Sequence, residues 1–513
     1  MSSSDASSDR GVSRRSFLGT GAAAAGSMAL AAPLAALAGC DRPPRPGHGY
    51  GPIAPVADRT TGLPLLALPR GFSYQSYGWS GDLMDDGTLT PDRHDGMAVV
   101  DTRRHQGRTE LLLIRNHERG PSEPGNPLPV IGGGQVPVYD GFRVQGAVEG
   151  LGGGTTAVTW SSSQGRFTRA EATLGGTLTN CAGGPTPWGS WLTCEETIVL
   201  GTQIGARDHG FVFEVPSPRL GPASAVPVEG MGLFAHEAAA VDPETGDVYL
   251  TEDNGPTSGL YRYRPSARPR KPGDLERGGT LEMLKVVGAD NADLTLPGVG
   301  DRHEIEWVPI ADPTAAPEGL VSPGEGFPPI EGSGRSGPYL QGEAQGGARF
   351  SRGEGAWYDG GTIYLVDTSA GPVGRGAVWA LELRPGRHRR PRLTALFVSQ
   401  DAAVADNPDN ITVTPRGGLL VCEDGGGEGA GDTRRFGARL IGINRRGESF
   451  VFAENVIVLD QALPDKPLVP ADDYRGQEFA GATFSPDGKV LFVNVQTPGI
   501  TFAVEGPWRH GPF

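Results

Sequence analysis

Glu237 to Asn254 reads EAAAVDPETGDVYLTEDN, a stretch with the form of a complete β-hairpin. Two short apolar runs, Ala238–Val241 and Val248–Thr251, flank Asp242-Pro243-Glu244-Thr245-Gly246-Asp247, a turn built from residues that favour tight chain reversal. A carboxylate opens the unit at Glu237, and Glu252 and Asp253 close it. The same order recurs in Glu354–Ser369 (EGAWYDGGTIYLVDTS), Asp409–Gly425 (DNITVTPRGGLLVCEDG) and Ala480–Thr497 (AGATFSPDGKVLFVNVQT). Cys181–Thr197 (CAGGPTPWGSWLTCEET) is a fifth copy, and Asp95–Glu118, with a longer turn around Arg103 to Arg108, is a sixth. The spacing leaves room for two further strands per copy. The prediction is therefore an all-β chain folded as a six-bladed β-propeller over residues 41–513. A β-sandwich is the main competitor, but it would not repeat one hairpin six times. Pro265 to Tyr339, dense in Pro, Gly and Arg, is read as the rest of the third blade plus an inserted Pro/Gly-rich surface segment.

Composition agrees with a turn-rich β protein. Gly 80 and Pro 45 far exceed ordinary usage and disfavour helix. The net charge of −15 argues against nucleic acid or an anionic membrane as the main partner, because phosphates would be repelled, so an anionic substrate would need bound cations. The chain is expected to be a monomer.

Residues 1–40 have the form of a twin-arginine export signal. Ser13-Arg14-Arg15-Ser16-Phe17-Leu18 precedes an apolar stretch of small residues running to about Leu37, too weakly hydrophobic for a permanent membrane span. Leu37-Ala38-Gly39-Cys40 has the form of a lipoprotein processing site, with lipidation at Cys40 and simple cleavage nearby as the alternatives. The expected partner is the twin-arginine export machinery and the expected location periplasmic or extracellular, with a lipid tether at Cys40 in the lipoprotein case. Beyond Cys40 there remain Cys181, Cys194 and Cys422, an odd number. A Cys194–Cys422 disulfide with Cys181 as a ligand fits that count.

Hairpin geometry places chemistry. The start of the first strand and the end of the second lie at one end of a hairpin, so the polar termini of all copies share one face. The starts supply Asp95, Cys181, Glu237, Glu354 and Asp409-Asn410, with Glu478 two residues before the last copy. The ends supply Asn116-His117-Glu118, Glu195-Glu196, Glu252-Asp253, Asp367, Glu423-Asp424 and Asn494. So many carboxylates around one channel call for bound metal. Oxygen ligands suit Ca²⁺, whereas Cys181 and an imidazole such as His236 or His117 point to a transition metal as well. Asp367 and Asn494 read as turn residues. Arg352, two residues before Glu354, is a cation beside the acidic ring, suited to gripping an oxyanion.

Thr179-Asn180-Cys181-Ala182-Gly183-Gly184, followed by Thr186-Pro187-Trp188-Gly189-Ser190-Trp191-Leu192-Thr193-Cys194-Glu195-Glu196, resembles the signature of the PhoX-type alkaline phosphatases. His236-Glu237, Glu252-Asp253-Asn254, Arg352-Gly353-Glu354, Asp409-Asn410 and Glu423-Asp424 resemble that family in order and context. The resemblance implies a propeller whose channel holds iron (Fe³⁺) and calcium (Ca²⁺) and hydrolyses small phosphate esters. It makes Cys181 the thiolate on iron, with Glu354 and Glu252 as bridging or iron-side carboxylates. Glu196, Glu237, Asp409, Asn410 and Asp424 then favour calcium, Glu195, Asp253 and Glu423 complete the candidate ligands, and Arg352 holds the phosphate. The catalytic group on this reading is Arg352, Cys181 and Glu354. The chain resembles a compact branch of the family. A calcium propeller acting on lactones or phosphotriesters, and a non-catalytic calcium-stabilised binding propeller, are the competing readings.

Overall fold

Each of the six sequence repeats forms a hairpin, and each hairpin carries the same irregularity near its start. In the computed structural model, which describes residues 49–122, 136–141, 150–201, 207–319, 334–386, 389–427 and 436–513, the strand pairs begin with His94–His105 and Arg108–His117. Next come Asn180–Pro185 with Ser190–Glu195, then His236–Val241 with Val248–Glu252. Gly353–Asp359 pairs with Thr362–Asp367, Pro408–Val413 with Leu419–Glu423, and Phe479–Phe484 with Val490–Val495. In the third hairpin His236 faces Glu252 but Ala239 faces Leu250, so three steps on the first strand match two on the second. The same shift occurs at the start of the other five. One extra residue per first strand is a β-bulge, which re-aims the side chains around it and is common beside functional sites.

The six first strands close a ring: each packs against the next, and the sixth against the first. With 46% of residues in strands and 4% in helices, the fold is all-β and propeller-like. Further strands extend outward from the hairpins. The third and fourth hairpins share one nine-stranded sheet, because Arg302–Ile310 pairs with Arg392–Val398 at their outer edges. Part of the Pro265–Tyr339 segment is thus sheet: it supplies Gly279–Val286 and Arg302–Ile310, followed by the short helix Gly337–Glu343, while residues 320–333 lie outside the described ones. The expected signal over residues 1–40 also lies outside them. Among the described residues no helix is long and apolar enough to cross a membrane.

The sixth sheet is completed from the far end of the chain, where Ser73–Tyr77 pairs with Ile500–Glu505. Buried side chains between the fifth and sixth sheets, among them Leu440, Phe452, Phe479, Leu491 and Phe502, form one continuous cluster. Tyr74 ties the closing strand to its neighbour: its hydroxyl donates to the Val56 carbonyl and accepts from the N–H groups of Leu65 and Leu66 at 2.8 and 3.1 Å. Tyr74→Phe strands these buried groups, and a loss of about 2 kcal/mol is expected, read as a lower midpoint in urea unfolding.

The three cysteines are free and buried, so the expected Cys194–Cys422 disulfide does not form. Cys194 lies in the second strand of the second hairpin and Cys422 in that of the fifth, each packed in a different hydrophobic cluster.

A candidate metal centre at one end of the hairpin ring

A repeated backbone hydrogen bond aligns the six hairpins position by position. The N–H just after each second strand donates to the carbonyl just before the matching first strand: Glu118 to Arg93, Glu196 to Thr179, Asp253 to Ala235, Thr368 to Arg352, Asp424 to Asn407 and Gln496 to Glu478. The donor residues form one ring of side chains. The residues two after each acceptor form a second: Asp95, Cys181, Glu237, Glu354, Asp409 and Ala480. Nine of the twelve members are acids or a thiol, and Thr368 is the exception at the fourth hairpin. At the sixth hairpin Ala480 and Gln496 hold these positions, and Glu478 supplies the acid instead.

These side chains meet. Cys181, Glu196 and Glu237 offer ligand atoms within 4.8 Å of one another, as do Glu196, Asp253 and Glu354. Glu237, Glu354 and Asp409 form a third trio, Asp409, Asp424 and Glu478 a fourth, and Asp95, Glu118 and Glu478 a fifth. Shared members chain the trios into one cage. Beneath it lies a cavity of only about 20 Å³, lined by Gly96, Ala182, Ala238, Gly355, Asn410 and Gly481 among others, so the ring is nearly closed below the acids. Small residues there let neighbouring backbones touch: a Cβ on Gly355 would stand 2.7 Å from the Asp409 carbonyl oxygen.

Burial first, and then the charge of neighbouring carboxylates, push Asp95, Glu196, Glu237, Glu354 and Glu478 well above the usual carboxylate range, and Asp409 up to about 7. Cys181 is raised for the same reasons. Arg352 answers part of this charge. Its Nε donates to Asp253 at 2.8 Å, its Nη2 also bonds Asp253, and Glu354 lies 3.3 Å from Nη2. The hydrogen bonds to Asp253 hold its pKa above the ordinary arginine value, so it stays cationic in alkaline solution. Among the described residues Nη1 has no protein partner, and the side chain is 39% exposed.

Several candidate residues sit elsewhere, for one reason. Where two acids follow a second strand, the first is still paired in the hairpin and points into its own sheet, and only the second reaches the ring. Glu195 accepts from the N–H groups of Leu178, Gly210 and Phe211 and bonds His209 Nδ1 at 2.7 Å. Glu252 accepts from the Gly259 N–H and the Tyr261 hydroxyl, and Glu423 from the Asp406 N–H and twice from Arg439 at 2.7 Å. The structure does not bring these three into the cage. Asn410 spans to the next hairpin, accepting from the Gly481 N–H while donating to Asp409. The histidines also face away. His236 bonds the Gly232 carbonyl and stacks on Phe234 at 3.6 Å, its pKa lowered by burial to about 3, and His117 bonds the Asp92 carbonyl and Thr156.

Asp367 and Asn494 are buried positioning groups, not turn residues. Asp367 accepts from the N–H groups of Ser351 and Arg352 and so sets the backbone that carries the guanidinium; Asn494 donates to the Asp95 carbonyl. Gln496, absent from the sequence reading, donates to Glu118 and Glu478. Its signal was positional: it stands where Glu196 and Asp253 stand in their hairpins.

A sequence model of the family described as alkaline phosphatase PhoX matches residues 48–499, nearly the whole chain. The chain belongs to the PhoX family. No curated protein matches in a sequence search. Among solved structures, a gluconolactonase from Xanthomonas campestris is 11% identical with a TM-score of 0.34, covering 81% of this chain and 96% of its own. The PQQ domain of a pyranose dehydrogenase from Coprinopsis cinerea is 11% identical with a TM-score of 0.27, covering 86% and 97%. An aldose sugar dehydrogenase from Streptomyces coelicolor is 12% identical with a TM-score of 0.30, covering 76% and 100%. At these scores the solved structures bear on neither site nor activity.

The PhoX family is metal-dependent, and the acids of this chain could hold metal ions. Their fit is tested by Glu237: fully buried, it has no hydrogen-bond partner among the described residues on either carboxylate oxygen. An uncompensated buried carboxylate is costly, and a cation answers both oxygens at once. Glu237→Gln is accordingly expected to act with opposite signs in the two states of a PhoX protein. It should lower metal content and the thermal midpoint of metal-loaded protein, yet raise the midpoint of chelator-treated protein. A fall in both states would assign Glu237 a purely structural role.

Proposed function

We propose that this chain is a metal-dependent phosphoric ester hydrolase, a phosphomonoesterase of the alkaline phosphatase type, acting at the mouth of a six-bladed propeller. The observation that carries the reading is the ring of acids with one buried thiol and one half-exposed arginine at its edge, in a chain of the PhoX family. The six aligned hairpins support six blades.

Cys181, Glu196 and Glu237 would hold iron, since a soft sulfur ligand beside hard carboxylates suits a transition metal. The all-oxygen trios around Glu354, Asp409, Asp424, Glu118 and Glu478 would hold calcium. When bound, such cations supply charge neutralisation and a nucleophile of lowered pKa.

The chain's own residues do the positioning. Asp253 and Asp367 fix Arg352 from two sides, one through its guanidinium and the other through its backbone. Nη1 is thereby left to donate to a phosphoryl oxygen of the ester, and the permanent charge opposes the build-up of negative charge on that group. The nearly closed floor confines the ester to the mouth.

Arg352→Ala is expected to lower kcat/KM for an aryl phosphate about a hundredfold while leaving metal content unchanged. The deciding measurement is elemental analysis of purified protein beside an aryl phosphate assay at alkaline pH. Iron with calcium and robust turnover supports the proposal; iron-free, inactive protein overturns it. Export through a twin-arginine signal belongs to the same proposal, because the ligands come from hairpins far apart in sequence and the cage forms only once the ring has closed.

A further inference from the structure

We infer that the end of the ring opposite the carboxylates docks on an anionic phospholipid surface. In each antiparallel sheet the hairpin turn lies at the end remote from the cage, as do the turns joining the next pair of strands outward. The net charge of −15 by itself disfavours an anionic membrane, but these turns concentrate exposed cations on one face and so reverse the sign locally. Arg104 and Arg108 flank the first hairpin's turn. Arg270 and Lys271 lie in the turn between Leu260–Pro265 and Gly279–Val286, Arg416 in the turn of the fifth hairpin, and Arg446 in the turn that follows in the same sheet. All six are exposed, and none makes an ion pair among the described residues. They are spread over three sheets and not gathered into one pocket, a distribution that suits a broad surface of headgroups better than a single small anion. The cage end has the opposite sign.

The path of the chain favours a membrane over a soluble polyanion. Ile53 pairs with Pro69 at the turn end. Tyr50 donates to the Trp508 carbonyl, and the Trp508 indole donates to the carbonyl of Lys489 in the sixth hairpin's turn. The segment that leads back to Cys40 therefore joins the fold at the cationic end. A tether and a polybasic face at one end are the two weak signals that together make stable membrane attachment. Docked this way, the cage mouth faces away from the bilayer, open to dissolved esters. The inference does not depend on which reaction the cage performs.

The test uses the full chain with Cys40→Ser in every variant, so that no attached lipid contributes, and follows co-sedimentation with phosphatidylcholine vesicles with and without phosphatidylglycerol. Binding should require phosphatidylglycerol and fall with added salt. Combining Arg104→Glu, Arg108→Glu, Arg270→Glu and Lys271→Glu should weaken it about tenfold or more, while Arg475→Glu, on the cage side, leaves it unchanged. Thermal unfolding midpoints verify that the variants fold, and the two pairs tested separately should each give part of the loss. Binding indifferent to phosphatidylglycerol, or charge-reversed protein binding like the parent, overturns the inference. So does tight, salt-sensitive binding to soluble heparin with none to vesicles, which would assign the face to a polyanion.

Discussion

Cys181→Ala should lower turnover of an aryl phosphate by a factor on the order of 10³ and strip the protein of the iron proposed for its trio, with the fold intact. Among the described residues the thiol is the only soft donor in a cage otherwise made of oxygen, and it meets Glu196 and Glu237 within 4.8 Å. Without it that trio keeps two hard carboxylates and loses its preference for a transition metal over calcium. The fold should survive because the side chain is small and its neighbours in the cage are acids, not core, so nothing apolar is left facing a void. Cys181→Ser separates ligand chemistry from shape. It keeps an atom in place but gives up the soft donor, so its iron content should fall nearly as far as that of the alanine variant. The measurements are metals per chain, kcat and the thermal midpoint after chelation, where wild type and variant should agree closely. Full iron and full turnover in Cys181→Ala would remove the thiolate from the proposal.

The fold was legible because the hairpins are local. Turns such as Asp242–Asp247 and Pro486-Asp487-Gly488 fix where a chain reverses, and apolar runs on either side fix the strands, so nothing distant had to be known. The closing strand was not legible for the opposite reason. Ser73–Tyr77 owes its place to pairing with Ile500–Glu505 across most of the chain, and its own sequence, Ser-Tyr-Gln-Ser-Tyr, marks only some β-strand.

At the site, the sequence showed which ends of the hairpins would meet but not which side chains would face the axis. In Glu252-Asp253 a single step of register decides between an acid that caps its own sheet and one that joins the cage, and composition is blind to a single step. The same step sends Glu195 and Glu423 inward and brings Glu196 and Asp424 to the ring. The bulge that sets this register is an extra residue in each first strand, invisible until the two strands are paired. Glu118, Asp95 and Glu478 stand at hairpin ends in the sequence but outside the ligand set; the backbone bond shared by all six hairpins gives Glu118 and Asp95 ring positions, and Glu478 joins them by side-chain proximity.

Gly184→Ala should destabilise the protein by about 3 kcal/mol or more and empty the metal cage along with it. A Cβ at this position would stand 1.5 Å from the carbonyl oxygen of Ala239, across the seam between the second and third hairpins. The obstructing atom is backbone, held in a strand, so no rotamer change relieves the contact and the two first strands must separate. Ala239→Gly should therefore give no rescue, as it would if a side chain were in the way. The same seam sets the distance between Cys181 and Glu237, which lie three residues before Gly184 and two before Ala239 and share one trio. Prising it open spreads donors that a metal ion needs at fixed separation, so iron content should drop even under conditions where the variant still folds. Gly141→Ala is the matched control, since a Cβ there meets nothing within 4 Å among the described residues, and it should change stability by no more than about 0.5 kcal/mol. Urea unfolding and metal analysis of the two variants decide it. A Gly184→Ala protein of near-normal stability with its iron in place would mean that the seam can yield, and that cage geometry is not set by contact between neighbouring first strands.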